Sequence, residues 1–102
     1  MEKEKALSVI LDAHNELKKF LDGVFPKLEG MTSHQLSKCQ LQLGIMQEQI
    51  EKEIYVDPKN WAEGMGRMII DSWPSGSPIG QALIAAEDAY LRIQKGTPAR
   101  QR

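Results

Sequence analysis

The sequence predicts an all-α fold, a four-helix bundle-like domain that a second chain could complete by oligomerisation. Three stretches repeat their apolar residues three and four apart, the period of one helix face, and a fourth, glycine-weakened stretch lies between the second and the last of them. Cap and breaker residues separate those stretches. No stretch alternates apolar and polar residues for more than a few positions, so no sheet is expected.

The first helix is expected over residues 4–22. Leu7, Ile10, His14, Leu17 and Leu21 share a face, and Leu11 and Phe20 widen it. Lys18 and Lys19 fall in the last turn, where cations complement the helix dipole, and Gly23 supplies a stop. Phe25, Pro26 and Leu28 then form a connector with apolar anchors.

The second helix has the clearest start. Thr32 and Gln35 form a T-x-x-Q capping box, and Met31 and Leu36 a hydrophobic staple. Leu36, Cys39, Leu43, Met46 and Ile50 give the inner face, and the helix is expected to reach about Tyr55. Glu48 and Lys52 make a favourably ordered pair on the wet side.

Asp57 and Pro58 mark the start of a third helix over residues 58–72, with Trp61, Met65, Met68 and Ile69 inward. Gly64 and Gly66 each cost roughly 1 kcal/mol against alanine in a helix, so a bend or a close contact is expected here. The turn from Trp73 to Pro78 opens the fourth helix, with Ser77 as cap and Pro78 in the first position. Ile79, Leu83, Ala86, Tyr90 and Ile93 form its apolar face, and Asp88 pairs with Arg92. Gly96 and Pro98 end it. The expectation is one domain over residues 1–98 and a flexible tail over 99–102. The heptad-like spacing suits near-antiparallel packing at roughly 20°.

A chain of 102 residues can bury a core without metals or disulfides. The net charge of -1 gives no electrostatic footprint for generic nucleic-acid binding. Nor does the last helix suit a recognition role, because Glu87 and Asp88 would face phosphates. One cysteine excludes an intrachain disulfide and favours a reducing compartment. The polar start lacks a signal-peptide stretch, and no apolar run is long enough to span a bilayer. A cytoplasmic protein without a membrane role is expected.

No catalytic or metal constellation emerges, and no cofactor is implied. His14 and His34 are not spaced as a helical ligand pair, and Cys39 has no cysteine partner. His14 reads as a part-buried histidine with a hydrogen-bond partner, and Cys39 as a small apolar filler. The neighbouring acids, Glu51 with Glu53 and Glu87 with Asp88, read as solvated faces rather than acid–base pairs.

Two binding sites are suggested. In the first, Ser75, Gly76 and Ser77 lead into a helix N-terminus, a place where backbone N–H groups receive anions. Trp73 could stack on a flat ring there, with Arg67 about two turns back. The simpler reading is a well-capped turn with Trp73 in the core. In the second, Trp61, Met65 and Met68 would form an apolar patch for a protein partner, exposed by loose packing of the glycine-weakened third helix. The simpler reading here is that all three are core.

Residues 67–93 resemble the C-terminal helical hairpin of phage proteins that sequester immune signalling nucleotides. Ile69-Ile70, Trp73-Pro74-Ser75-Gly76, Ala82-Leu83 and Glu87-Asp88-Ala89-Tyr90-Leu91 carry the resemblance, about a quarter of the chain. The resemblance implies an oligomeric anti-defence sponge that holds a cyclic or phosphorylated nucleotide without cleaving it. It carries over no ligand-binding residue, and the first two helices have no counterpart in it. The reading that demands least is a small non-catalytic binding protein of bacterial or phage type, an adaptor or inhibitor docking on a protein partner. The nucleotide sponge is the alternative.

Overall fold

A computed structural model describes residues 2–23, 31–74 and 76–96. The expected connector at Phe25, Pro26 and Leu28, together with Ser75, Pro98 and the 99–102 tail, lies outside the described residues. Among the described residues there are four α-helices and no strand: α1 (Glu2–Leu21), α2 (Ser33–Glu51), α3 (Met65–Ser72) and α4 (Pro78–Gly96). The all-α, bundle-like expectation holds. The body measures 43 × 23 × 20 Å, and α1 packs along both α2 and α4 while α3 lies mainly against α4.

The α1 seam is shifted from the expected one. Ala6, Ile10, Ala13 and Leu17 are buried, whereas Leu11, expected to widen the core face, is 52% exposed. Two alanines in the seam let α1 approach both neighbours closely, and the bulkier Leu7 and Leu21 flank it half-buried. Gly23, at φ +80°, terminates the helix as expected.

The α2 seam is the expected one: Leu36, Cys39, Leu43, Met46 and Ile50 are all buried. The capping box is present, with Gln35 N–H donating to Thr32 Oγ1 at 3.1 Å and Thr32 N–H to Gln35 Oε1 at 3.1 Å. Gln35 does more than cap. The same Oε1 accepts the Trp73 indole N–H at 3.0 Å, tying the end of α3 to the start of α2.

α2 stops at Glu51 rather than near Tyr55, because Glu53 adopts φ +54°. The Glu53 N–H reaches Ile50 O at 3.2 Å and the Ile54 N–H reaches Gln49 O at 2.8 Å. This paired pattern closes a helix end and usually employs glycine. A glutamate at the left-handed position costs roughly 1 kcal/mol more, and its carboxylate meets Lys3 at 3.2 Å.

The third helix is also shorter than expected. Pro58–Asn60 form only a 3-10 turn, and the α-helical bonds begin at Met65. Asp57 makes no side-chain cap bond to that turn. Gly64, at φ +105°, breaks the chain direction just before α3. α4 keeps the expected Ile79, Leu83, Ala86 and Tyr90, but its buried face continues to Gln94, while Ile93 is half-buried.

Candidate functional site

Gly64 precedes α3 without a side chain to cap it, and a carboxylate from α4 fills that role. Glu87 accepts from Met65 N–H at 3.0 Å and from Gly66 N–H at 3.2 Å. An anion at the positive end of a short helix satisfies donors that otherwise lack partners. A Cβ on Gly66 would stand 2.9 Å from Glu87 Oε2, so the glycine makes room for the cap. Glu87 is therefore half of no solvated acidic pair, in contrast to the sequence expectation. Asp88 turns outward to Arg92 at 3.0 Å.

Two further α4 residues on the same face hold the α2–α3 connector. Tyr90 Oη accepts from Ala62 N–H at 3.1 Å and donates to Gln49 Oε1 at 2.6 Å, and burial pushes the pKa of its phenol above the usual range. Gln94 accepts from Val56 N–H at 3.1 Å and donates to Ile54 O at 2.8 Å, replacing a peptide partner for the connector. Its amide also reaches Gln49 Oε1 at 3.3 Å. Glu87, Tyr90 and Gln94 are spaced three and four apart, which places them in one row.

With the connector fixed, α3 and α4 enclose a groove. Ile70 stands 72% exposed at its centre. Two clefts adjoin there, of about 190 and about 490 Å3, and Ile70 and Ile84 line both. Arg67, Asp71, Asp88 and Leu91 border the larger one, and Ile69, Trp73 and Gln81 the smaller. The result is an apolar centre with a rim of both charges. Periodicity did not single out Ile70, because it falls on the outer side of a helix read from its inner face.

Among the described residues, the turn expected to grip a nucleotide divides between buried and exposed positions. Trp73 is only 5% exposed and its N–H is committed to Gln35, so the ring offers no stacking face. Ser77 is buried. Its Oγ accepts from Gly80 N–H at 3.2 Å, the expected cap, and its own N–H bonds to Pro74 O at 3.3 Å. Gly76 is exposed at φ +79°, and Ser75 lies outside the described residues. Arg67 is exposed on the rim of the larger cleft.

Trp61, Met65 and Met68 form no exposed patch either. Met65 is 4% exposed, and Trp61 and Met68 are half-buried against the core. Trp61 donates to Val56 O at 3.2 Å, and Lys95 lies 5.8 Å from its ring centre. Loose packing was expected to expose these residues, but the three tethers from α4 hold the segment down. Met65 and Met68 instead line a cavity of about 180 Å3 with Cys39 and Gln42.

Burial pushes the Cys39 thiol up to about 12, with a smaller contribution from the Glu87 charge, so it stays protonated and unreactive near neutrality. His14 is half-buried, but its Nε2 has no hydrogen-bond partner among the described residues. No group of three His, Cys, Asp or Glu side chains among the described residues is placed to hold a metal ion. No helix among them is long and apolar enough to cross a membrane.

The chain matches no protein-family model, no curated protein and no solved structure. The assignment of function therefore rests on the α3–α4 groove.

Proposed function

We propose that this chain is a non-catalytic helical binding protein that docks on a protein partner through the α3–α4 groove, as an adaptor or inhibitor. The observation that carries the reading is Ile70, 72% exposed over two adjoining clefts. An isoleucine so placed loses contact with water on docking, and the apolar centre with its charged rim has the anatomy of a protein interface. The partner segment would bring an apolar side chain to Ile70 and Ile84, with a base facing Asp71 and an acid facing Arg67. Action in the cytoplasm is supported by the single, buried cysteine.

The test is affinity capture from the source cells with wild type, Ile70→Asp and Leu41→Asp chains, each checked for helicity. A specific protein held by wild type and Leu41→Asp, and held roughly 30-fold or more weakly by Ile70→Asp, is the expected result. Equal retention by Ile70→Asp would remove the groove from the interface. Native mass spectrometry of the same preparations covers the nucleotide-sponge alternative: a retained mass in the nucleotide range would replace the protein-docking reading.

A further inference from the structure

α2 carries two heptad seams. The buried one runs through Leu36, Cys39, Leu43, Met46 and Ile50. The other runs through His34, Ser37, Leu41, Gly44, Glu48 and Glu51, again three and four apart, and every residue in it is exposed. Leu41 is 66% exposed and its neighbour Ile45 40%. Gly44 leaves a notch between them, part of an open surface cleft of about 540 Å3 whose described lining is all from α2.

Within its first and last turns the side-chain charges of α2 do not complement the helix dipole, and the C-cap Lys52 lies 3.8 Å from Glu48 just beyond them. α2 has no acid in its first turn and no base in its last. His34 and Lys38 stand near the positive end, and Glu48 and Glu51 near the negative end. An antiparallel copy of α2 reverses that arrangement locally, bringing a positive helix end beside each acidic end.

We infer that the exposed α2 seam receives the α2 seam of a second copy of this chain, antiparallel about a twofold axis between Leu41 and Gly44. In this register Leu41 of each copy enters the Gly44 notch of the other. Ser37 faces Glu48, and His34 faces Glu51. No like charges meet along the seam, and each contact occurs twice, as an isologous interface requires. The seam lies on α2, apart from the α3–α4 groove, so the dimer does not depend on the docking reading.

Sedimentation equilibrium of the full chain over a concentration series tests the inference. Wild type should show a monomer–dimer equilibrium. Leu41→Asp should weaken it about a hundredfold or more, because the change is counted twice across the axis, while the helical circular dichroism is unchanged. The register is read by cysteine pairing. Ser37→Cys chains mixed with Glu48→Cys chains should form a disulfide-linked dimer under mild oxidation. Either variant alone should not, since in this register like positions lie about 16 Å apart along the axis. A wild type that stays monomeric at millimolar concentration overturns the inference. So does unchanged dimerisation of Leu41→Asp, or a Ser37→Cys chain that pairs readily with itself.

Discussion

Gln94→Leu is expected to lower the unfolding free energy by about 3 kcal/mol, read from urea denaturation by circular dichroism. Leucine fills much of the same space, so the loss measures hydrogen bonding rather than a cavity. Gln94 is 3% exposed and holds Val56 N–H, Ile54 O and Gln49 Oε1 together. Without it, the two backbone groups of the connector lose their partner, each costing roughly 1–3 kcal/mol if it stays buried. The added apolar burial of leucine offsets part of that. A loss below about 0.5 kcal/mol would mean that water substitutes for the side chain, and that Gln94 does not hold the connector.

The second large effect is a reversal of sign. Glu87→Ala removes a charged acceptor from two N–H groups at the start of α3 and should cost about 2 kcal/mol. Gly66→Ala should destabilise the natural chain by about 1 kcal/mol, because its Cβ displaces the Glu87 carboxylate from that cap. In the Glu87→Ala background the obstruction is gone, and the next contact, Ile84 Cγ1 at 3.7 Å, is ordinary. There Gly66→Ala should stabilise, by up to about 1 kcal/mol, through helix propensity alone. A double-mutant cycle measures both signs in four proteins. Equal effects of Gly66→Ala in the two backgrounds would show that the glycine and the carboxylate act independently.

What the sequence made legible follows from how local each signal is. The Thr32–Gln35 capping box, the buried α2 seam and the Ser77 cap are encoded within a few residues, and each forms as expected. The C-terminal end of α2 and the extent of α3 carry no such signal. Glu53 takes a conformation that usually betrays itself as glycine, so its sequence position carried no stop signal. The residue that caps α3 lies 21 positions beyond Gly66, on another helix. Gln94 is polar, so the apolar periodicity points to Ile93 in its place. The candidate surfaces depend on the same kind of distant contact. The tethers from α4 that hold the segment of Trp61 and Met65 against the body are long-range, and the exposure of Ile70 appears only once α3 is seen lying against α4.

The row of Glu87, Tyr90 and Gln94 has a consequence for how the molecule opens. Val56, Ala62, Met65 and Gly66 donate their amide hydrogens to one face of α4. Most of the segment between α2 and α3 has no regular structure, yet it cannot peel away while that face stays in place. Exchange of these four amides with solvent is then governed by the detachment of α4, and the connector belongs to the same cooperative unit as the last helix.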